Sequence, residues 1–236
     1  MSNDTKTLRA KDKLGSDFLP AGDFSAWLSH ARNALINETN NDVDCTDCDA
    51  CCSSSYFIHI QPKEKRTLGR IPQELLFPAP GMPPGHVVLG YDNKGRCPML
   101  KNGKCSIYDF RALTCRNYDC RIFTAAGIAA GEKDKARITQ RAKRWKFSYP
   151  TKRDHEEHAA VQAAARFIQE HAECFPGGAV PTNPSQLAIL AIKVYAVFLK
   201  NDEGSAKTRG ASLDTEMANT IVHACKTFDA TRQPLL

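Results

Sequence analysis

The residues with the clearest chemical potential in this sequence are cysteines. The chain has 10 cysteines among 236 residues. Thiolate is a soft ligand that suits zinc, Cu(I) and iron–sulfur clusters. No apolar leader opens the sequence, so we expect a cytoplasmic protein with reduced thiols, and such a cluster then indicates metal binding rather than disulfides. The predicted metal ligands are the eight clustered cysteines Cys45, Cys48, Cys51, Cys52, Cys97, Cys105, Cys115 and Cys120.

The spacing of the first cysteines favours an iron–sulfur cluster over zinc. Cys45, Cys48 and Cys51 are each separated by two residues. In iron–sulfur proteins a triple of this kind binds one cluster together with a remote fourth cysteine. A tetrahedral zinc site more often uses two Cys-x2-Cys pairs, and the later cysteines form no such pair. Cys52 directly follows Cys51, and adjacent side chains usually diverge, so one of the two can serve a second site. Whether there is one centre or two, and which four thiols share a centre, stays open.

Two stretches of this sequence resemble a known family. One is CTDCDACC at 45–52, followed by the β-prone run YFIHI at 56–60. The other combines GRCPML at 95–100, GKCSIY at 103–108 and RALTCR at 111–116. Together they resemble the YkgJ-type cysteine-cluster proteins, whose CxxCxxCC domain is described as a putative zinc- or iron-chelating domain. The resemblance implies a zinc or iron–sulfur centre and implies no reaction, so an enzymatic activity is left open.

Three residues beside the cysteines are predicted to contact the bound group. Arg111 and Arg116 alternate with the cysteines of the second stretch. A four-thiolate centre carries net negative charge, which neighbouring arginines can offset by hydrogen bonds and by their field. Tyr108 is expected to pack on the centre or to fill the core. By contrast, Cys174 and Cys225 lie far from the motif on helical segments and are expected to be packing residues.

The charge distribution raises a second functional hypothesis. Residues 94–153 carry 16 Lys and Arg against 4 Asp and Glu, whereas the rest of the chain carries 16 against 22. Within 132–153, Trp145, Phe147 and Tyr149 are interleaved with basic residues. Basic segments with stacking aromatics can bind single-stranded nucleic acid. Alternating aromatics also fit a half-buried extended segment, and most charge runs are simply solvated. Nucleic-acid binding therefore ranks below metal binding. A structural zinc module and a metal-handling protein are the alternatives to an iron–sulfur protein. The partner is an unidentified protein or small molecule.

The elements that must position these residues indicate an α+β fold, in which a small irregular cysteine-rich metal-binding module is embedded in a mostly helical domain. No apolar run reaches the roughly 18 residues of a membrane span. We predict a disordered N-terminus at 1–20, a metal-binding region with a leading helix at 21–125 and a helical region at 126–236. The individual predictions are helices over 24–36, 132–146, 154–172, 184–199 and 212–228, and strands over 56–60 and 86–89. Asp154 and Asn183 are the predicted caps of two helices, Leu213 is predicted on the apolar face of the last helix, and Asn102–Gly103 is a predicted turn.

Overall fold

The fold is α+β, as the sequence predicts. The computed structural model describes residues 18–37, 39, 41, 43, 45, 47–178, 180–199 and 211–231. The helices are α1 (Phe24–Asn37), α2 (Lys65–Leu68), α3 (Leu113–Asn117), α4 (Arg121–Ala126), α5 (Ala136–Arg144), α6 (Lys152–Glu170), α7 (Pro184–Val194) and α8 (Ala211–Ala230). The strands are β1 (Leu19–Asp23), β2 (Ile58–Ile60), β3 (Leu76–Pro78), β4 (Val87–Leu89), β5 (Leu100–Lys101), β6 (Lys104–Cys105) and β7 (Trp145–Ser148).

A large apolar core joins the helices from the two ends of the chain. Phe24, Trp27, Leu28 and Ala31 recur at helical spacing on α1, and all four are buried. This face packs against α6, which also contacts α4 and α7. Because the core draws on helices far apart in sequence, it forms only when the chain ends come together across the cysteine-rich stretch.

Strands β1 and β7 pair in parallel and extend this core. Leu19 aligns with Trp145, and Asp23 aligns with Ser148. Along β7, Trp145 and Phe147 are buried while the residues after each of them are exposed. The aromatic residues of the basic stretch therefore alternate because they form a half-buried strand, one of the two alternatives that the pattern left open.

The cysteine-rich module has its own small core and little regular structure. Strands β2, β4 and β3 form an antiparallel sheet in that order, and β5 and β6 form a short hairpin. The hairpin turns at Asn102 and Gly103, which have φ values of 51° and 74°. Two successive residues at positive φ are typical of a tight hairpin turn, and Asn-Gly suits it best. Five buried apolar side chains form the module's separate cluster: Ile60, Ile71, Leu89, Met99 and Ala112.

The ends of several helices differ from the predictions. Helix α6 begins earlier, because Thr151 rather than Asp154 is the cap and the two side chains form a reciprocal capping box. The Asn183 cap of α7 is confirmed by hydrogen bonds from the next turn, although a 3-10 turn over Tyr195–Val197 follows its last residue, Val194. On α8, Leu213 is exposed, against the prediction, and Asp214 is buried instead.

Two further predictions concern the chain ends and the membrane. Residues 1–17 of the expected disordered N-terminus lie outside the described residues, and β1 begins at Leu19. None of the helices in the described ranges combines the length and apolar character that a bilayer crossing requires.

Candidate metal centres

Electrostatic interactions between the thiols divide the eight clustered cysteines into two groups of four. Cys51 interacts most with Cys120, Cys45 and Cys48, and less with Cys52. Cys115 interacts with a different three, namely Cys52, Cys97 and Cys105. We call Cys45, Cys48, Cys51 and Cys120 quartet A, and Cys52, Cys97, Cys105 and Cys115 quartet B. The quartets adjoin each other, since Cys51 and Cys52 are neighbours in sequence and the Cys52 thiol also interacts with Cys45.

Quartet A is built from a tight turn between Cys45 and Cys48 and from Cys120, which lies far along the chain at the start of α4. The amide of Cys48 donates a hydrogen bond of 3.2 Å to the carbonyl oxygen of Cys45, which turns the chain between the first two thiols. Cys51 opens a 3-10 turn. Cys120 precedes α4 and is only 6% exposed. Its Sγ accepts a hydrogen bond of 3.2 Å from the indole Nε1 of Trp145. The fourth thiol thus comes from the helical core.

The surroundings of quartet A are apolar except at one edge. A small cavity beside its thiols is lined also by Val43, Ala50, Tyr118, Ile138 and Arg141. Burial, assisted by the neighbouring thiols, raises the pKa of Cys51 well above its usual value. Burial also raises the pKa of Cys120 to about 12, although the hydrogen bond from Trp145 acts in the opposite direction. Because several buried thiolates repel one another, all four can ionise together only when a cation compensates their charge.

Quartet B depends on two backbone hydrogen bonds that join the two cysteine stretches. The amide of Cys97 donates to the carbonyl oxygen of Cys52 at 2.7 Å, and the amide of Ser55 donates to Gly95 at 2.9 Å. Gly95 has a φ of 72°, and a Cβ at this position would collide with the hydroxyl oxygen of Ser55. Only glycine allows this close approach. The contact between the stretches therefore requires the glycine that precedes Cys97.

The remaining two thiols of quartet B come from the hairpin and from α3. Cys105 pairs with Leu100 across β5 and β6, and the Leu100 amide donates to the carbonyl oxygen of Cys97 at 2.9 Å. Cys115 lies in α3. Burial, followed by the other thiols of the quartet, raises the pKa of both Cys52 and Cys115 to about 12. Quartet B therefore has the same electrostatic need for a cation as quartet A.

The three residues predicted to contact the bound group, Tyr108, Arg111 and Arg116, all lie close to the clustered cysteines. The Tyr108 hydroxyl accepts a hydrogen bond of 3.4 Å from the Cys45 amide. The Arg111 guanidinium stacks 3.6 Å above the Tyr108 ring, and its charge lowers the pKa of Cys115, against the larger effect of burial. The Nε of Arg116 is buried and has no hydrogen-bond partner among the described residues. Arg111 and Tyr108 thus contact or act on the cysteines directly, while Arg116 holds a buried donor next to Cys115.

The structure adds Trp145 and Arg141 to the surroundings of quartet A. Arg141 lines the cavity beside the thiols and lies over the Trp145 ring at 5.3 Å. A second basic residue, Arg137, forms an ion pair of 3.2 Å with Asp49 in the cysteine turn. Sequence reasoning placed these residues in the candidate nucleic-acid segment. These residues lie far in sequence from the cysteine motif, so no spacing pattern predicts that they surround quartet A.

Comparison with known proteins identifies the cysteine-rich part of the chain. Residues 44–143 match the family model described as CxxCxxCC, putative zinc- or iron-chelating domain. This part of the chain is a CxxCxxCC domain. All eight cysteines of the two quartets fall within the CxxCxxCC domain, which confirms the resemblance to that domain; the narrower YkgJ type stays a prediction. No curated protein and no solved structure matches the chain.

Proposed function

We propose that the CxxCxxCC domain holds two four-thiolate metal centres, one in each quartet. The observation that carries the proposal is the division of eight thiols into two groups of four, between which only Cys52 interacts with thiols of the other group, namely Cys51 and Cys45. Four thiolates are a full ligand set for a tetrahedral metal ion or for a cubane cluster. One centre with four spare cysteines would leave four clustered thiols without a ligand role.

For quartet A we propose an iron–sulfur cluster. Its ligands are a Cys-x2-Cys-x2-Cys triple and the remote Cys120, the arrangement expected for such clusters. The apolar lining and the indole N–H on the Cys120 sulfur are features that tune the potential of a cluster. When bound, a cluster of this kind supplies one-electron transfer. The chain's own contribution is to exclude water, and to donate hydrogen bonds and positive charge at the sulfurs through Trp145 and Arg141.

For quartet B we propose a structural zinc ion. Cys97 and Cys105 lie beside tight turns, at Gly95 and at the Asn102–Gly103 hairpin, and no two cysteines of the quartet are separated by only two residues. The surrounding module has a small apolar cluster, so a metal that ties its turns together would contribute much of its folding free energy. Zinc in both quartets is the second candidate, and it would make the domain a purely structural or metal-handling module.

The proposal includes a reducing compartment and a partner. Free thiols persist in the cytoplasm, where such centres assemble without competing disulfides. An electron-carrying centre requires a partner protein or small molecule that exchanges electrons with it. Nucleic-acid binding by residues 132–153 ranks lower, because Trp145 and Phe147 are buried and cannot stack on bases.

The test is anaerobic purification of the whole chain, with an absorbance spectrum and iron, zinc and sulfide analysis on one sample. Wild-type protein is expected to show broad visible absorbance, iron and sulfide in equal amounts, and zinc. Cys48→Ser should lose the iron and sulfide and keep the zinc of quartet B, whereas Cys97→Ser should lose that zinc. Cys225→Ser is the matched control and should leave all three unchanged.

Two results would contradict the proposal. Equal metal content in Cys48→Ser and Cys225→Ser would show that the first quartet binds no metal. Loss of the same metal in Cys48→Ser and Cys97→Ser, with the other metal retained, would show that the two quartets serve one centre. A colourless wild-type protein with zinc at both quartets would replace the iron–sulfur assignment with the structural one.

A further inference from the structure

A second set of metal-binding side chains lies outside the CxxCxxCC domain, where α6 ends. His171, Glu173 and Cys174 place one nitrogen, one carboxylate oxygen and one sulfur within 4.8 Å of one another. Among the described residues, the quartet thiols form no equally tight group of three. The three residues lie beyond the matched range of 44–143. This group is therefore separate from both quartets in sequence. It also differs from them in its ligand atoms, which are nitrogen, oxygen and sulfur instead of four sulfurs.

The local backbone explains why these side chains meet. After α6 ends at Glu170, the chain forms a 3-10 turn over Ala172–Cys174, closed by a hydrogen bond of 3.0 Å from the Cys174 amide to the carbonyl oxygen of His171. In a 3-10 turn, residues three apart lie on the same side, so the imidazole and the thiol face the same direction. The His171 ring also stacks on Phe167, with 4.5 Å between the ring centroids. Stacking limits the rotation of the imidazole.

A buried carboxylate from α8 adds a fourth donor. Asp214 is 9% exposed, and its Oδ2 lies 3.8 Å from Nδ1 of His171. The Cys174 sulfur lies 3.8 Å from Oε1 of Glu173. For nitrogen and oxygen, 3.8 Å is too long for a hydrogen bond. It is close to the separation of about 3.5 Å between two ligand atoms on one tetrahedral zinc ion with bonds of about 2.0–2.3 Å. Asp214 lies outside the group of three but borders it at His171, so its side chain must rotate to reach the same cation.

We propose that His171, Glu173, Cys174 and Asp214 bind a zinc-type divalent cation that ties the start of α8 to the end of α6. An imidazole, a thiolate and carboxylates form a ligand set that suits zinc and not magnesium or calcium, which prefer oxygen alone. Binding replaces the proton on the Cys174 sulfur with the metal, and the proton leaves to solvent. The bound cation would also compensate the buried charge of Asp214.

The first experiment measures zinc bound to the whole chain with its quartets loaded. Wild-type protein is dialysed against buffered zinc and compared with Cys174→Ser and His171→Gln. Each variant should bind one zinc fewer per chain than wild type and keep the iron, sulfide and quartet zinc unchanged. Cys225→Ser is the matched control, since this half-buried thiol also lies near a carboxylate, with 3.6 Å to Asp229, yet belongs to no mixed-donor group of the described residues.

The second experiment adds Co²⁺ in place of zinc and records the thiolate-to-cobalt absorbance. Glu173 is exposed, so Glu173→Gln leaves the fold intact and should weaken Co²⁺ binding about tenfold or more. Added zinc should raise the melting temperature of wild type and of Cys48→Ser, but not that of Cys174→Ser. Equal zinc content and equal cobalt affinity in wild type, Cys174→Ser and Glu173→Gln would overturn this site. That result would leave the quartet proposal untouched, which Cys48→Ser and Cys97→Ser test separately.

Discussion

The two quartets lie in regions of very different construction. Quartet A borders the large helical core, and its Cys120 is buried against Trp145 within that core. Quartet B lies in the irregular module, where Cys97 and Cys115 pack against a cluster of only five buried apolar side chains. The helical core would keep its packing without a metal. The module has too few buried contacts to order its long loops by apolar packing alone.

The difference indicates which centre serves structure and which serves chemistry. A metal in quartet B would stabilise a module that has only a small apolar core. Loss of this metal should therefore destabilise the whole module. A metal in quartet A would occupy a site that the packed helices already form. Loss of this metal should therefore remove the chemistry of the site and change the folding stability little. The two quartets share the Cys51–Cys52 step, so a change in either one tests whether the regions respond independently.

The largest expected effect is local unfolding when quartet B is broken. Cys97→Ser should speed hydrogen exchange about 100-fold or more in residues 52–117, because structural zinc contributes about 10 kcal/mol or more to small domains. Amides of α6 and α7 should keep their protection. Hydrogen exchange with mass spectrometry checks both regions in one sample. Cys48→Ser is the control and should leave most of the module protected; equal loss in both variants would contradict the contrast between the quartets.

A smaller effect is expected from the buried ion pair that flanks Cys120. Asp119 and Arg121 form a pair of 2.9 Å, and the Trp27 indole donates a hydrogen bond of 2.9 Å to the Asp119 carboxylate. Asp119→Ala would remove the carboxylate that pairs with the buried Arg121 and should lower the free energy of unfolding by about 3–5 kcal/mol. Chemical denaturation measures it. Asp92→Ala removes an exposed pair with Arg96 in the module and should cost far less; a similar cost for both would show that burial is not decisive.

A further effect should be confined to quartet A. Trp145→Phe keeps an aromatic ring and removes the hydrogen bond to the Cys120 sulfur. Because that bond would favour the more negative reduced state of the proposed iron–sulfur cluster, its loss should lower the reduction potential of the cluster by some tens of millivolts, where about 60 mV corresponds to about 1.4 kcal/mol for one electron. Redox titration of the visible absorbance measures the shift. Trp27→Phe is the matched control, since its indole bonds to a carboxylate, and an equal shift there would exclude the sulfur contact as the cause.

The smallest effect concerns the acid stability of the helical region. Hydrogen bonds from Thr151 and from the Ser25 amide lower the pKa of Asp154 to about 2. A lowered pKa stabilises the fold above the unfolded value of about 3.9, and this contribution is lost as the pH falls towards 2. Asp154→Ala should therefore have a lower melting temperature than wild type at pH 7. The gap should close near pH 2, and a gap that does not depend on pH would contradict this role.

Much of the fold and the ligand inventory could be predicted from local patterns. The apolar spacing of α1, the Asn183 cap of α7 and the Asn102–Gly103 turn all act within a few residues, and the structure has each of them. The start of α6 was predicted three residues late, because Asp154 and Thr151 are both plausible caps. The burial of Asp214 in place of Leu213 could not be predicted, since the rotation of α8 depends on what it packs against.

The sequence by itself determined the chemistry of this protein, because eight thiols at these spacings in one chain specify metal binding whatever their partners. Only the tertiary structure decided how the thiols divide. The hydrogen bonds from Cys97 to Cys52 and from Ser55 to Gly95 hold Cys52 beside Cys97, while Cys120 of quartet A comes from the helical core. The physical reason is that ligand grouping depends on distances between residues far apart in the chain. Spacing in sequence reports those distances only within a single turn.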